Sequence, residues 1–402
     1  MGSERPSRAI RPGLRARLQG WLISRIRRSR FLPAATVDRV ADADRLNVAL
    51  TQSVIVYFAT SQVTLYQIRP WFPALQRLDA EFPLTVVCRD SRAAAIIREE
   101  SELDCFTVGT QDDLDGILTR SDVKLALYIN LDPLDFDCLR FASMMHVYIG
   151  HGDSAKGVFA SNQVKAFDRY FIAGDAAAIR LERELMEFDA TTRCVKIGQP
   201  QLDGFAPSAP IDGGRPVVVY APTWEGAQST QSHSSLLTHG RAIVDSLAKD
   251  GRFDIVYRPH PLTGSEDPRL AEVDSAIRRT LAGSGHRVDL SPTLASAFDG
   301  ASALITDVSA AAGYWLVTGR PIIVTSDGVA APMFGPQVAS LAQGDAPRTA
   351  EIVASLVADP PDLAPVVAEH LGDITPGTAT SAFVAACAAM IELRDRLLHS
   401  GS

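Results

Sequence analysis

Two histidines in this sequence stand directly after apolar segments that are typical of buried strands. His151 lies between two glycines in GHGDSAKG and follows segment 145–149, and His260 lies in YRPHP, directly after segment 253–257. A neutral imidazole can take a proton from a hydroxyl group, so His151 is a candidate general base. In open α/β sheets, ligands bind at the carboxyl ends of the strands. This position favours a functional role over a loop histidine that only makes a backbone hydrogen bond.

The residues beside these histidines suit a phosphate group. Lys156 follows His151 in the same loop and is placed to hold an anion, and Arg258 precedes His260. A guanidinium binds phosphate oxygens through paired hydrogen bonds, so Arg258 and His260 together fit a phosphate or pyrophosphate better than a neutral sugar. A structural ion pair of Arg258 is the alternative interpretation.

A third segment, LITDVSAAAG, joins an apolar segment to an alanine-rich helix. Thr306, Asp307 and Ser309 lie at this junction, where free backbone N–H groups and the helix dipole bind phosphate well. A strand followed by Asp-x-Ser and a helix is also common as a plain helix cap. Taken alone, the pattern favours the cap.

Two more loops lie at strand ends. In VVVYAPTWEG, Thr223 is placed to meet a phosphate and Trp224 to wall a cleft, and Glu225 is a weaker candidate. The alternative is that Trp224 only caps the core. In GQPQLDGF, Asp203 is placed to orient a catalytic group, and a hinge turn is an equally good interpretation.

From about residue 48, apolar β-branched segments alternate with helix-like segments, which is typical of parallel sheets buried on both faces. Segment 205–216, FAPSAPIDGGRP, has the composition of a linker. The sequence therefore predicts an α/β fold with two doubly wound, Rossmann-like domains facing a central cleft. The predicted strands are 54–59, 84–88, 105–108, 123–130, 145–149, 169–173, 193–197, 217–221, 253–257, 303–306 and 321–325. The predicted helices include 65–80, 175–188, 235–249, 268–281, 309–317 and 379–398. The predicted boundaries are an N-terminal arm 1–45, a first domain 46–205, a linker 206–216, a second domain 217–378 and a C-terminal helix 379–402.

Several classes of function lack their motif in this sequence. No GxGxxG follows a first strand and no GKS or GKT occurs, which disfavours dinucleotide oxidoreductases and P-loop enzymes. The GxSxG motif of serine hydrolases does not occur, and no set of Cys and His residues has the spacing of a zinc site. The five cysteines are scattered without a CxxC pair, which favours reduced core cysteines in the cytosol. We expect no tightly bound cofactor and no metal site, although dependence on a divalent metal stays open.

The first 30 residues form a basic arm with nine arginines and one acid, on a chain whose net charge is −8. The rest of the chain is acidic, which argues against a nucleic-acid binder. Apolar residues recur at helical spacing in the arm: Leu14, Leu18, Trp21, Leu22 and Ile26. This pattern predicts a helix that lies on an anionic membrane surface through residues 5–30. A helix that packs its apolar stripe on the protein body is the alternative.

Taken together, and in their order along the chain, the motifs resemble the CDP-glycerol glycerophosphotransferase family, the enzymes that build or prime teichoic acids. HGDSAK is similar to the family's HG-x-x-x-K, GQPQLD to its G-x-P-x-x-D, and YAPTW, RPHP and LITDVS match closely. The resemblance spans roughly residues 140–325. It implies a GT-B fold, with acceptor binding in the first domain and CDP-glycerol held mainly by the second.

The resemblance also implies residue roles. His151 corresponds to the base that activates the acceptor hydroxyl, and Arg258, His260 and Ser309 would surround the pyrophosphate. The family works at the cytoplasmic face of the cell membrane on lipid-linked acceptors, so a peripheral location on the inner face is expected. The reaction would move glycerol phosphate to an acceptor hydroxyl and release CMP.

This sequence departs from the family at two positions of the last motif. The family usually has a second serine and a downstream aspartate, whereas this chain has Ala310 and Tyr314. Another CDP-alditol or a nucleotide sugar is therefore a possible donor. The alternatives are a GT-B glycosyltransferase, a UDP-sugar 2-epimerase, or an inactive nucleotide-binding membrane scaffold.

Overall fold

The structure is a computed structural model that describes residues 42, 44–151, 161–226, 234–291, 294–326 and 334–400. The basic arm and Lys156 lie outside these residues.

Seven parallel strands form the first sheet, in the order β3-β2-β1-β4-β5-β6-β7. The strands are β1 Val54–Phe58, β2 Leu84–Cys88, β3 Cys105–Thr107, β4 Leu125–Tyr128, β5 Met145–Tyr148, β6 Arg169–Ile172 and β7 Cys194–Lys196. Successive side chains of β1 alternate between two apolar clusters, with Val54 and Val56 on one face and Ile55 and Tyr57 on the other. The sheet is therefore buried on both faces, as the apolar strand sequences predict.

The helices of this half are α1 Leu65–Ile68, α2 Phe72–Asp79, α3 Ser91–Glu100, α4 Gln111–Thr119, α5 Phe136–Leu139, α6 Asp175–Glu184 and α7 Ala190–Arg193. The helix predicted over 65–80 is divided between α1 and α2 by a 3-10 turn at Arg69–Trp71. Pro70 lies in that turn, and a proline has no N–H to continue an α-helix.

Six parallel strands form the second sheet, in the order β10-β9-β8-β11-β12-β13. They are β8 Val217–Ala221, β9 Asp254–Tyr257, β10 Arg287–Val288, β11 Ala301–Thr306, β12 Ile322–Ser326 and β13 Ala339–Ala342. This sheet also separates two apolar clusters. The helices are α8 Arg241–Asp250, α9 Pro268–Leu281, α10 Ala295–Phe298, α11 Ala310–Leu316, α12 Thr349–Ala358 and α13 Ala364–Leu371. A π-helical turn, Leu236–Gly240, leads into α8.

The last helix, α14 Thr378–Ser400, returns to the first sheet. Its apolar side chains, including Phe383 and Met390, belong to the same cluster as Val54. Lys124 anchors the far end of the helix by pairing with Asp395 at 2.6 Å. The chain therefore crosses between the two sheets twice.

The predicted fold class, α/β with two doubly wound parallel sheets, is confirmed. Each of the eleven predicted strands has a counterpart in the structure. Among the described residues, no helix combines the length and the apolar character that spanning a membrane requires.

Candidate functional site

The strand orders define one point in each sheet where the direction of winding reverses. In the first sheet this point lies between β1 and β4, and in the second between β8 and β11. Loops at the carboxyl ends of strands on either side of such a point diverge and leave a crevice. His151 follows β5, and Thr223, Arg258 and Thr306 lie at the ends of β8, β9 and β11. The predicted site residues are thus distributed over the carboxyl edges of both sheets.

Gly150 creates the turn that brings His151 out of its strand. Its φ is +65°, a conformation that favours glycine. The indole Nε1 of Trp71 donates a hydrogen bond to the carbonyl oxygen of Gly150 at 2.7 Å, and Trp71 is fully buried. The turn is therefore fixed by the core of the first domain.

His151 is half-buried and its ring has a defined orientation. Its Nδ1 lies 3.4 Å from the carbonyl oxygen of Ile129, and the ring of Tyr66 meets it edge-on with centroids 6.5 Å apart. A carbonyl oxygen only accepts, so this contact requires the proton on Nδ1. The lone pair of a neutral His151 is then on Nε2, as a general base requires.

His260 is held in the opposite tautomer. The backbone N–H of Leu262 donates to its Nδ1 at 3.1 Å, so a neutral His260 carries its proton on Nε2. The ring lies nearly parallel to that of Trp224, with an interplanar angle of 16° and centroids 5.9 Å apart. His260 can therefore donate a hydrogen bond to an anion.

Arg258 is buried beside Asp289. Asp289 is the kind of partner that a structural ion pair of Arg258, the alternative interpretation, requires. The Nη1 of Arg258 lies 3.4 Å from Asp289 and 3.1 Å from the hydroxyl of Ser291. Charge-assisted hydrogen bonds are usually shorter than 3.4 Å, so this pair orients the guanidinium without a tight bond. Burial lowers the pKa of Arg258, and Asp289 opposes that effect.

Asp289 is satisfied mainly by two serines. Ser291 donates its backbone N–H at 2.9 Å and Ser296 its hydroxyl at 2.8 Å. Burial alone would raise the pKa of Asp289, but these hydrogen bonds and Arg258 hold it below its ordinary value. Sequence reasoning missed Asp289, because 31 residues separate it from Arg258 and no motif marks it.

Glu225 fixes the loop that follows the RPHP segment. Its carboxylate accepts backbone hydrogen bonds from Gly264, Glu266 and Asp267 at 2.9–3.1 Å. Burial alone would raise the pKa of Glu225, but the three N–H groups lower it. Glu225 therefore shapes the site through this loop.

Asp307 and Thr306 have side chains that are fully buried. The carboxylate of Asp307 accepts from the backbone N–H groups of Thr223 at 2.7 Å and Ser235 at 3.1 Å, and from the hydroxyl of Thr325 at 2.5 Å. Burial raises its pKa, against these hydrogen bonds. Asp307, which follows β11, therefore ties the loop after β8 to strand β12.

The hydroxyl of Thr306 donates to the carbonyl oxygen of Ala221 at 2.7 Å and lies 3.2 Å from the hydroxyl of Ser309. Ser309 precedes α11 but makes no side-chain cap to it within the described residues. Thr223 is buried, with its backbone N–H bound by Asp307. The structure thus brings Thr223, Thr306, Asp307 and Ser309 together at the edge of the second sheet.

Asp203 lies at the N-terminus of the last helix. Its Oδ2 accepts the backbone N–H of Thr380, in the first turn of α14, at 2.6 Å. Negative charge stabilises a helix N-terminus. Asp203 therefore attaches the end of the first domain to the last helix.

The family's aspartate position is occupied by Tyr314, which packs into the core. Its ring meets Phe205 edge-on with centroids 5.2 Å apart, and burial raises its pKa to about 12. Among the described residues, no three His, Cys, Asp or Glu side chains are grouped as a metal site would need.

The family comparison is specific to part of the chain. Residues 158–329 match the family model described as CDP-glycerol:poly(glycerophosphate) glycerophosphotransferase. YAPTW, RPHP and LITDVS lie inside this match, and His151 precedes it. The resemblance seen in the sequence is confirmed, and with it the enzyme class. No protein of curated function matches the sequence.

Solved structures show the same two-domain fold at low sequence identity. A putative UDP-N-acetylglucosamine 2-epimerase from Listeria monocytogenes is 15% identical, with a TM-score of 0.56, over 84% of this chain and 96% of that chain. The wall teichoic acid polymerase TagF is 13% identical, with a TM-score of 0.53, over 94% of this chain and 98% of that chain. The UDP-GlcNAc 2-epimerase from Neisseria meningitidis is 12% identical, with a TM-score of 0.53, over 84% and 99%. At such identities these likenesses establish the GT-B-like fold alone.

Proposed function

We propose a reaction for this chain from the match of residues 158–329 to the model of the CDP-glycerol glycerophosphotransferases. The protein transfers glycerol phosphate from CDP-glycerol to a hydroxyl of a lipid-linked acceptor or a growing teichoic-acid-like polymer, and CMP leaves. CDP-glycerol is the donor substrate.

The observation that carries this proposal is the orientation of His151. Its Nδ1 lies 3.4 Å from the carbonyl oxygen of Ile129, so the lone pair of a neutral His151 is on Nε2, the atom that would accept a proton. In the proposed step, Nε2 takes the proton while the acceptor oxygen forms a bond to the β-phosphorus. The bond from that phosphorus to the bridging oxygen breaks, and its electron pair leaves with CMP.

The edge of the second sheet would stabilise the charge that develops on the departing phosphate. Arg258 supplies a fixed positive charge and His260 a hydrogen-bond donor at Nε2. Lys156 is proposed to contribute another cation. Electrostatic stabilisation of this kind is usually the largest contribution in phosphoryl transfer.

The test is CMP release with a prenyl-diphosphate disaccharide as acceptor. We expect release from CDP-glycerol by the wild type, and a loss of about a hundredfold or more in His151→Ala. His399→Ala, at an exposed position in α14, is the matched control and should keep wild-type turnover. Wild-type turnover by His151→Ala would remove the general-base role.

Two further donors separate the alternatives. Release of CMP from CDP-ribitol alone would keep the mechanism and change the substrate. Turnover of UDP-GlcNAc would favour an epimerase or glycosyltransferase, since the listerial and meningococcal structures share the fold. Binding of CDP-glycerol without turnover on any acceptor would favour an inactive scaffold.

A peripheral location on the inner face of the cell membrane is proposed from the basic arm. Nine arginines within 30 residues would attract anionic lipid headgroups. We expect the full-length protein, but not a 31–402 variant, to co-sediment with anionic vesicles, and salt to weaken that binding. Equal sedimentation of the two forms would refute the membrane contact.

A further inference from the structure

A small cavity lies at the carboxyl ends of β5, β6 and β7. Its volume is about 30 Å³, which is room for about two water-sized groups. Gly150, the residue before His151, forms part of its wall, and so do Trp71 and Tyr170. The cavity therefore adjoins the candidate general base on the side of the first domain.

Two glutamines in this cavity have carboxamide oxygens without a partner. Gln199 and Gln201 both line it, and the Oε1 atoms of both are buried without a hydrogen bond. Gln199 itself is only 7% exposed. Buried polar atoms are nearly always satisfied, so two such oxygens from residues two positions apart indicate a missing hydrogen-bond donor.

The lining also indicates the charge of what binds there. Among the described residues that line the cavity, none is charged. A phosphate would need a cation or several N–H donors, and a cationic group would need a carboxylate. A carboxamide both accepts and donates, as a hydroxyl does, whichever way its oxygen and nitrogen are assigned. The aromatic and aliphatic walls suit the carbon atoms of the same ligand.

We propose that Gln199 and Gln201 form an acceptor subsite that binds a hydroxyl-bearing carbon of an uncharged polyol or sugar. This inference rests on the proposed function, because it places the group beside the hydroxyl that His151 deprotonates. Gln199 and Gln201 position the acceptor end and select for a second hydroxyl near the attacking one.

The kinetic test replaces each glutamine with methionine, which has a similar length but cannot hydrogen-bond through a carboxamide. In Gln199→Met, Gln201→Met and the double variant we expect the acceptor KM to rise about tenfold or more, while CDP-glycerol binds with its wild-type Kd in calorimetry. Gln343→Met, at an exposed position in the second domain, is the control. Ala177→Val narrows the cavity from α6 and should raise the acceptor KM too.

Thermal unfolding separates a ligand subsite from a cavity that holds buried water only. If the oxygens are unsatisfied in the free protein, Gln199→Met raises Tm while it impairs acceptor use. If ordered water satisfies them, the variant lowers Tm and leaves the acceptor KM unchanged. That second result, or a wild-type acceptor KM in the double variant, overturns the proposal.

A direct binding measurement keeps the subsite testable even if CDP-glycerol proves not to be the donor. Glycerol and ribitol are titrated into protein labelled with 5-fluorotryptophan, and the ¹⁹F signal of Trp71 is assigned with Trp71→Phe. We expect a saturable shift of that signal in the wild type and in Gln343→Met, and its loss in the double variant. No shift in the wild type, or an equal shift in the double variant, would refute the subsite independently of the proposed function.

Discussion

At the scale of single residues, the two candidate site histidines differ in the backbone group that contacts their Nδ1 atom. His151 faces a carbonyl oxygen, whereas His260 accepts from an N–H group. A neutral His151 therefore carries its lone pair on Nε2, whereas a neutral His260 carries a proton there. Both histidines follow an apolar strand, so their positions in the sequence do not distinguish them. The difference between their tautomers comes from the geometry of the two loops.

Asp135 is a buried carboxyl group whose pKa can be tested by measuring stability. It is 2% exposed, its Oδ2 accepts the backbone N–H of Asp132 at 2.8 Å, and its Oδ1 has no partner. Burial raises its pKa to about 8. The raised pKa favours the folded state at low pH, and this contribution is lost as the pH rises towards 8.

We therefore predict that Asp135→Asn flattens the pH dependence of stability. Between about pH 5 and 8 the free energy of unfolding of the wild type should fall relative to the variant by about 1.4 kcal/mol per pH unit. Urea denaturation of both proteins at several pH values measures the difference, in which the other titrating groups cancel. Parallel curves for the two proteins would contradict the raised pKa.

At the scale of elements, a loop of the second domain depends on a single carboxylate. Glu225 binds three backbone N–H groups between residues 264 and 267, next to His260. A glutamine keeps one acceptor oxygen but turns an NH2 group towards an N–H donor. The loop that follows the candidate residues Arg258 and His260 would then lose part of its anchoring.

We predict that Glu225→Gln lowers the free energy of unfolding by about 1–3 kcal/mol and weakens CDP-glycerol binding. Because the pKa of Glu225 is lowered, its stabilisation is present above the ordinary glutamate pKa and disappears as the pH falls through its folded value. Glu266→Gln is the control, since that exposed residue contributes only its backbone N–H. Equal stability of the two variants near neutral pH would be evidence against the anchoring role.

Some of the strands could be predicted from the sequence and two could not. Apolar, β-branched strands such as β1 and β8 were predictable because burial on both faces requires them. The two strands that were missed, β10 and β13, are sheet edges: β10 has two residues, and β13, Ala339–Ala342, consists of small residues. These segments are strands because they pair with β9 and β12, and no local sequence pattern predicts that pairing.

For the candidate site, the sequence predicted which strand ends carry the residues but not where their side chains point. Strand-end positions identified His151 and Arg258, since the sheet forces such residues to its carboxyl edge. Side-chain direction was not predictable: Asp307 turns into the protein and Asp203 caps a helix 177 residues later. The cavity lined by Gln199 and Trp71 likewise depends on tertiary packing, because separate elements supply its wall.

At the scale of the whole molecule, the two halves meet through close backbone contacts. Gly174, at the start of α6, lies against the carbonyl oxygen of Glu369 in α13. A Cβ at Gly174 would overlap that oxygen, and backbone cannot move aside as a side chain can. Gly372, just after α13, approaches the carbonyl oxygen of Ala173 in the same region. This contact fixes how α13 of the second half sits on α6 of the first.

We therefore predict that Gly174→Ala separates α6 from α13 and destabilises the contact between the two halves. Overpacking of this kind costs about 1–3 kcal/mol, so calorimetry should show a lower Tm and a broader transition as the halves unfold less cooperatively. Gly204→Ala is the matched control, because a Cβ there meets nothing within 4 Å. CDP-glycerol binding should survive in Gly174→Ala, since the proposed donor residues lie in the second half, while turnover falls because His151 belongs to the first. A Tm and turnover equal to those of Gly204→Ala would mean that this contact does not hold the halves in their catalytic arrangement.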